Sequence, residues 1–318
     1  MVKTLILYQS KYGFTEMIAK SLSLVLGPAK YYKTSELKGN YNDFEVIVIC
    51  TPVYSEVVDN NIFEYVTKNA DWLKQKKVVL ICTCLAENRA DHYLKPLKNI
   101  LGQSVRFEKA IGGELSIDKL SKPDSELLKR FCDKTGFPFK DHHLFNKGKF
   151  IELALDIKKI KDEGPKVMEE PILRTHIENF IKDHNTCTLA TGHEKKVRAT
   201  PIEYTWMDDC LYVLSEGGEK FANILLNPNV SVCIYDPYKK MNELGGMQIM
   251  GVAEIVDIGS DEYISLLAQK ELKFDRIISL PVALNLIKIR IQTIEFLWSG
   301  FDKLGYDVKQ ILFNKEVF

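Results

Sequence analysis

One short turn near the start of the chain combines hydroxyl groups, a lysine and a glycine: Ser10-Lys11-Tyr12-Gly13-Phe14-Thr15. It follows an apolar run of strand length at Val2–Tyr8 and precedes Glu16–Leu26, whose apolar residues recur at helical spacing. The first N–H groups of a helix have no partner within it, and the helix dipole makes that end positive. The hydroxyls of Ser10 and Thr15 add donors, and Gly13 allows the backbone to approach a ligand closely. The turn therefore predicts a binding site for a phosphate group.

The rest of the first half alternates apolar, strand-like runs with helical patterns. The predicted strands are Val2–Tyr8, Ala29–Tyr32, Phe44–Cys50, Lys77–Cys82 and Ser104–Ile111. The predicted helices are Glu16–Leu26, Asp59–Leu73, Asp91–Leu101 and Lys149–Lys161. This alternation indicates right-handed βαβ crossovers and an α/β doubly wound parallel sheet. In such a sheet a ligand binds beyond the carboxyl ends of the strands, where the loops Thr51–Glu56 and Thr83–Asn88 are expected beside the turn.

The pattern Ser10-x-x-Gly13-x-Thr15 after the first strand resembles the phosphate loop of the flavodoxin family, which holds the phosphate of FMN. The resemblance implies that the strand-end loops cover the flavin, with Tyr54 as the stacking residue and Tyr93 as a weaker candidate. The implied cofactor-binding residues are Ser10, Lys11, Tyr12, Gly13, Phe14, Thr15, Thr51, Pro52, Val53, Tyr54 and Thr83. The residues alone are also consistent with an ordinary capped turn that binds no phosphate. Lys11 is then a solvated lysine, and Tyr54 a tyrosine on the protein surface.

A second stretch of this half resembles a narrower group of flavodoxin-domain proteins. Gly112–Ser121 is similar to a segment of proteins related to menaquinone-dependent protoporphyrinogen oxidase. Gly136–His143 stands where that group has Gly-Pro-x-Gly-Asp-x-Arg-Asp-Trp, but it lacks the second glycine and the tryptophan. The resemblance covers roughly residues 1–160. The departure argues against a porphyrinogen substrate and leaves the FMN fold intact.

The second half begins with an amphipathic helix at Pro171–Asp183 and continues in short β segments separated by turns. The predicted strands are Thr186–Thr191, Val197–Trp206, Cys210–Ser215, Val230–Tyr235, Gly246–Val256, Asn285–Gln292 and Thr293–Trp298. Short helices are predicted at Lys220–Leu226 and Asp261–Gln269. Strands with turns at such close intervals predict an antiparallel barrel.

This order resembles the split-barrel flavoproteins related to pyridoxamine 5′-phosphate oxidase. The similarity is carried mainly by Lys220-x-x-Asn223-Ile224-x-x-Asn227-Pro228-x-Val230, with Leu189–Thr191 and Gly251–Glu254 in support. The resemblance implies a split β-barrel with flanking helices and an FMN site across a homodimer interface. The residues it implies are Arg198 and Lys220 as phosphate cations, Ser215 as a phosphate hydroxyl, Thr200, Pro201 and Ile202 as backbone partners of the flavin ring, and Gln248 as a ring contact.

The barrel half departs from that family at its phosphate segment. The chain reads Gly217-Gly218-Glu219-Lys220 where the oxidases have Ser-Arg-Lys, so one cation is lost and a carboxylate is gained. Phosphate affinity is therefore expected to be weaker than at Ser10–Thr15. The arginines that hold the substrate phosphate in pyridoxamine phosphate oxidase have no clear match, so that activity is not expected. Arg198 and Lys220 are alternatively solvated charges, and Trp298 either covers a flavin edge or is barrel core.

Length and composition indicate two soluble domains. The 318 residues are 46% hydrophobic and 27% charged, with 43 basic and 43 acidic side chains, which favours neither nucleic acid nor a membrane surface. The charged stretch Lys158–Lys166 ends in Gly-Pro and reads as a linker, which predicts domains at 1–163 and 164–318. No secretory leader or membrane-spanning run is found, so we expect a cytoplasmic protein.

The cysteine and histidine patterns match no standard redox or metal motif. Seven cysteines without framework spacing fit reduced thiols. Cys82-x-Cys84 lacks the Cys-x-x-Cys spacing, and Cys132 with His142 and His143 matches no usual zinc pattern, so no metal site is predicted.

These observations predict an FMN-dependent oxidoreductase or electron carrier with one or two FMN per chain. The electron donor would be NAD(P)H or a redox protein, and the barrel would form a homodimer. No side chain stands out as an acid or base, so no catalytic residue is assigned. The alternatives are a flavin- or haem-binding sensor with one vestigial site, in which the barrel could hold a deazaflavin, or a porphyrinogen oxidase by fold analogy alone.

Overall fold

The structure is a computed structural model that describes residues 1–39, 41–163 and 166–314. The chain divides into two compact units, Met1–Gly164 and Pro165–Phe318. The predicted boundary at Gly164 lies outside the described residues, so the domain limits 1–163 and 164–318 stay a prediction. Within the described ranges, no helix has the length and apolar character needed to cross a bilayer.

A parallel sheet forms the centre of the first unit. Its strands are β1 (Thr4–Tyr8), β2 (Ala29–Lys33), β3 (Val46–Tyr54), β5 (Lys77–Cys84) and β6 (Val105–Gly112), and β4 (Val57–Val58) pairs antiparallel with the end of β3. The strand order is β2-β1-β3-β5-β6, with parallel pairing between all these neighbours. The predicted doubly wound α/β sheet is therefore confirmed.

Helices cover both faces of this sheet. They are α1 (Phe14–Val25), α2 (Asn60–Lys68), α3 (Ala70–Leu73), α4 (Ala90–Leu101) and α6 (Lys147–Asp162), and the unit also contains helix α5 (Lys122–Thr135). Successive side chains of a strand point to opposite faces, so Leu5 packs in the core with α2 and α4 while Ile6 packs in the core with α1 and α6. Because both faces are covered, β1 and the first half of β3 are continuously buried.

Several boundaries in this unit differ from the prediction. β3 continues to Tyr54 and β5 to Cys84, so Thr51–Tyr54 and Thr83 lie in strands and not in loops. The ladder continues there because Thr51 pairs with Cys82 and Pro52 with Thr83. The single helix expected at Asp59–Leu73 is two helices, since Asn69 between them has a non-helical φ of −110°. Helix α5 and the short strands β7 (Glu114–Leu115) and β8 (His142–His143) were not predicted.

An antiparallel sheet forms the second unit. Its strands are β9 (Thr186–His193), β10 (Lys196–Glu203), β11 (Thr205–Met207), β12 (Cys210–Ser215), β13 (Asn229–Tyr235), β14 (Gly245–Val256), β15 (Asn285–Trp298) and β16 (Lys309–Phe313). Their order is β10-β9-β13-β14-β15-β12-β11, with β16 also paired to β15. The sheet curls around one apolar core as an antiparallel split barrel, which confirms the predicted fold.

Over residues 166–314, the helices that flank this sheet are α7 (Glu170–Lys182), α8 (Glu219–Leu226), α9 (Asp261–Gln269), α10 (Phe274–Ile278) and α11 (Ser299–Lys303). Helix α7 buries Leu173, Ile177 and Ile181 in the barrel core, at the spacing that an amphipathic helix requires. Helix α9 packs Tyr263 into a second, smaller core that includes Tyr212 of β12.

Two strand predictions in the barrel were wrong. The alternating run Val197–Trp206 is two strands, because the chain leaves β10 at Tyr204 and enters β11 at the opposite end of the sheet order. Tyr204 is 5% exposed, and its hydroxyl donates to the carbonyl of Ile181 at 2.6 Å. Residues 285–298, which were expected as two strands, form the single strand β15.

The β14–β15 ladder shifts register between Met250 and Gly251, where only glycine fits. A Cβ at Gly251 would lie 2.5 Å from the carbonyl oxygen of Arg290 and 2.9 Å from a methyl carbon of Ile289. We expect Gly251→Ala to lower the free energy of unfolding by about 1–3 kcal/mol, as overpacking does.

Urea denaturation of the full chain would measure this change. Gly246→Ala on the same strand is the matched control, since the atom nearest to its Cβ would be the Tyr235 Cβ, at 3.3 Å, with the Ile234 carbonyl oxygen at 3.7 Å. Equal unfolding midpoints for the two variants would contradict the crowding at Gly251.

Candidate functional site

The predicted phosphate turn lies at the carboxyl end of β1 and leads directly into α1. Gly13 occupies the position before the helix, with a left-handed φ of 87°, and offers no side-chain cap. Its own N–H donates to the Ser10 hydroxyl at 3.0 Å, and no atom lies within 4 Å of where its Cβ would be. The first N–H groups of α1 therefore have no acceptor from the helix or from its capping residue. This donor set, beside open space, fits a phosphate group.

Thr15 is the predicted phosphate ligand that the structure places inside the fold. Its side chain is 2% exposed, and its hydroxyl shares a 2.8 Å hydrogen bond with the hydroxyl of Thr83 on β5. The start of α1 and the end of β5 thus bring the two threonines together, and one hydroxyl donates to the other. Phe14 packs edge-on against Phe145, with 5.5 Å between the ring centroids.

Lys11 and Tyr12 both turn towards a carboxylate that the sequence did not single out. Asp124, in the first turn of α5, lies 2.5 Å from the Lys11 ammonium and accepts a hydrogen bond from the Tyr12 hydroxyl. Lys11 is therefore paired and not simply solvated. The nearest signal in the sequence was Ser121 three residues before Asp124, because a serine at that spacing often starts a helix.

The residues predicted around the second strand end have different environments. The Thr51 hydroxyl accepts from the N–H of Asp59 at 3.1 Å and so closes the turn into α2. Pro52 is buried, Val53 is half-buried against the core, and Tyr54 is 38% exposed. Partial burial raises the pKa of the Tyr54 hydroxyl, and the nearby backbone N–H of Lys11 opposes that rise. Tyr54 thus lies beside the phosphate turn with its ring partly free.

The turn after Tyr54 is held by a carboxylate. Ser55 and Glu56 adopt positive φ values of 50° and 67°, which non-glycine residues rarely do. Glu56 pairs with Arg89 and accepts from the Tyr93 hydroxyl at 3.2 Å. Tyr93 is 3% exposed and belongs to the core, so it is not placed to stack on a ligand. These contacts fix the backbone next to Tyr54.

The predicted phosphate cations of the barrel are already engaged. Arg198 donates to Glu219 at 2.7 Å, and the Lys220 ammonium donates to the carbonyl of Gly217 at 2.5 Å. Lys220 is buried, and burial lowers the pKa of its amine. Ser215 is also buried, with its hydroxyl 3.5 Å from the backbone of Gly217. Arg198, Ser215 and Lys220 therefore meet around the start of α8.

Thr200 carries a buried hydroxyl that has no hydrogen-bond partner. A buried hydroxyl without a partner costs free energy, so this atom fits a site that a polar ligand atom completes. Pro201 beside it is exposed. Gln248 is exposed on β14, but the register places three strand spacings, roughly 14 Å, between it and Pro201. One chain therefore does not bring Gln248 together with the other predicted barrel residues.

The histidines named above have local partners, and the cysteines are free thiols. His143 pairs with Glu114 at 2.5 Å, and His142 stacks on Phe137 with 4.7 Å between the ring centroids. Cys82 and Cys84 are buried, free thiols on β5. In the described part of the chain, no group of three or more His, Cys, Asp or Glu side chains could hold a metal ion.

The Thr15–Thr83 hydrogen bond gives a direct test of this packing. We expect Thr83→Val to lower the free energy of unfolding by about 1–2 kcal/mol, because it leaves the Thr15 hydroxyl buried without its partner. The double variant Thr15→Val/Thr83→Val should lose less than the sum of the two single variants.

Urea denaturation would measure the free energy of unfolding of each of these variants. Thr67→Val is the control, since that exposed hydroxyl donates only to the Phe63 carbonyl on its own helix. Strictly additive losses for the two buried threonines would show that their hydroxyls do not interact.

Comparisons with known proteins match the two units separately. The family model described as Flavodoxin domain matches residues 5–137, and the one described as Pyridoxamine 5'-phosphate oxidase matches residues 173–298. A search of curated proteins finds no match.

Three solved structures that match this chain each cover less than half of it. The haem storage protein HutZ from Vibrio cholerae is 19% identical, covering 38% of this chain and 90% of that one, with a TM-score of 0.33. A FAD-binding protein from Mesorhizobium loti is 19% identical, with the same 38% and 90% coverage and a TM-score of 0.30. General Stress Protein 26 from Bacillus anthracis is 23% identical, covering 45% and 98%, with a TM-score of 0.33. The chain thus joins a flavodoxin-like domain at residues 5–137 to a pyridoxamine 5'-phosphate oxidase-like domain at residues 173–298, as its sequence predicted.

Proposed function

We propose that this protein is an FMN-dependent oxidoreductase or electron-transfer flavoprotein with a potential flavin site in each unit. The observation that carries the proposal is the start of α1. There, an uncapped helix with Gly13 before it follows the end of β1, and the half-exposed ring of Tyr54 lies beside it. Such a helix start suits a phosphate, and an aromatic face suits a flat conjugated ring.

In the first unit, the chain's own groups would bind and orient the cofactor. The N–H groups of the first turn of α1 would hold its phosphate. The Tyr54 ring would cover one face of the flavin, on a backbone held by Glu56. Bound FMN would supply the redox chemistry, accepting a hydride or single electrons and passing them on. Because no side chain is assigned as an acid or base, the protein contributes position, exclusion of water and control of access.

In the second unit, the orphan hydroxyl of Thr200 supports a ligand, while the charges there argue for a weaker phosphate site. Glu219 compensates the charge of Arg198, and the Lys220 amine is buried with a lowered pKa. The pairing of Arg198 with Glu219 favours a second candidate function. The barrel would then bind haem or a deazaflavin as a sensing module, while FMN binds only to the first unit.

The exposed face of the barrel supports the proposed homodimer. Val197 on β10 is 81% exposed, Tyr235 on β13 is 56% exposed and Met250 on β14 is 49% exposed. Exposed apolar side chains on strands of one sheet favour burial against a partner. A second copy could also bring Gln248 towards a site that one chain leaves distant. NAD(P)H or a redox protein remains the proposed electron donor, and the cytoplasm the proposed location.

The proposed cofactor is tested by its stoichiometry in the intact protein. We expect yellow protein that binds FMN at both sites when it is reconstituted, with tighter binding in the first unit. Gly13→Ala should weaken the tighter site by at least about tenfold, because a Cβ both strains the left-handed turn and enters the phosphate space. Absorbance and fluorescence titration would measure both occupancies.

Gly136→Ala is the matched control for that variant. Gly136 is also left-handed, with φ 74°, and also has open space around its Cβ, but it ends α5. It should lose a similar amount of stability and keep its FMN. Colourless protein that cannot be reconstituted with FMN would rule out the proposed function.

A further inference from the structure

A carboxylate from a distant part of the sequence occupies the side chains of the phosphate turn. Asp124 lies 112 residues after Tyr12, whose hydroxyl donates to it. The Lys11 ammonium lies 2.5 Å from the same carboxylate oxygen, and the Ser121 hydroxyl donates to it at 2.9 Å. Three donors therefore converge on one oxygen atom. The Lys11 ammonium, followed by the Tyr12 hydroxyl, holds the pKa of Asp124 below its usual range, so the group is ionised at neutral pH.

This arrangement changes the charge that the turn offers to a ligand. Lys11 is the only basic side chain within Ser10–Thr15, and its charge is compensated by Asp124. Within Ser10–Thr15, an incoming phosphate would therefore find neutral N–H donors and the helix dipole, but no uncompensated cation. Charge-assisted donors bind phosphate more strongly than neutral ones, so this pairing weakens the site for phosphate.

The start of helix α5 does not by itself account for these contacts of Asp124. Its position in the first turn of α5 is explained by Ser121, whose hydroxyl accepts from the Asp124 N–H at 3.3 Å and caps the helix. That cap needs neither Lys11 nor Tyr12. The contacts to these two side chains join α5 to the phosphate turn in addition to starting the helix.

We propose that Asp124 is a specificity-determining residue, which limits how strongly the first unit prefers a phosphorylated flavin over the same flavin without phosphate. The inference rests on the proposed flavin site. Asp124 acts by holding the Lys11 ammonium in an ion pair, which keeps this cation from the phosphate. The pairing does not affect a ligand that lacks the phosphate, so FMN and riboflavin respond differently to the removal of Asp124.

The test is a double-mutant cycle on the full chain, titrated with FMN and, separately, with riboflavin. The variants are wild type, Asp124→Asn, Lys11→Gln and the double variant. Asp124→Asn should tighten FMN binding by roughly three- to tenfold and leave riboflavin binding unchanged. In the Lys11→Gln background, most of this gain should disappear, because no freed cation remains. The barrel is the same in all variants, so differences among them report on the first unit.

Ser121→Ala is the control for the start of α5, since it removes the cap without changing any charge. It should leave the ratio of FMN to riboflavin affinity at the wild-type value. Lys11→Gln alone should weaken FMN binding less than about twofold, because the lysine is already paired. This single variant also serves if Asp124→Asn does not fold, since a tenfold loss there would contradict the inference.

The outcomes separate the inference from the function it rests on. An unchanged affinity ratio in Asp124→Asn, or the same ratio change in Ser121→Ala, would overturn the role of Asp124 and leave the FMN site standing. Binding of neither flavin by the wild-type protein would overturn both. A selective gain for FMN that depends on Lys11 would establish Asp124 as the residue that sets the preference.

Discussion

Parallel strands all end at one edge of their sheet, and this constraint governs the first unit. β1, β3 and β5 are neighbours, so the turn after Tyr8, the residue Tyr54 and the hydroxyl of Thr83 must lie close together. The chain has to reverse at each strand end, and a helix start there leaves N–H groups without partners. The geometry of such a sheet therefore creates a place where an anion can bind. The side chains around it decide what the site prefers.

Those side chains give the two units a common electrostatic character. In each unit, a basic residue expected to meet a phosphate is paired with a carboxylate, Lys11 with Asp124 and Arg198 with Glu219. The first pair is partly enclosed, while the second is largely exposed and separates at little cost. Under the proposed function, backbone N–H groups of α1 would hold the phosphate in the first unit more than a free cation would. A site of that kind recognises shape and ring contacts as much as charge.

The sequence predicted both folds well because each has a strong local signal. Continuous apolar runs marked the buried parallel strands, and close turns marked the barrel. It predicted the turn at Gly13 but not its partner, since Asp124 is distant in sequence and follows a segment without apolar periodicity. The break at Tyr204 was missed for a related reason. Alternation continues through it, and only the hydrogen bond from its hydroxyl to Ile181 shows where the strand ends.

The break at Tyr204 also bears on how the barrel folds. β9 pairs with β10, β11 with β12 and β13 with β14, each across a short stretch of chain, so these hairpins form locally. The pairings of β9 with β13 and of β12 with β15 join residues far apart in sequence, and closing such loops is slow. Because Tyr204 divides two hairpins at opposite ends of the strand order, they can assemble independently. We expect the pairing of β12 with β15, which joins Cys210 to Arg290, to be the late step in forming the barrel.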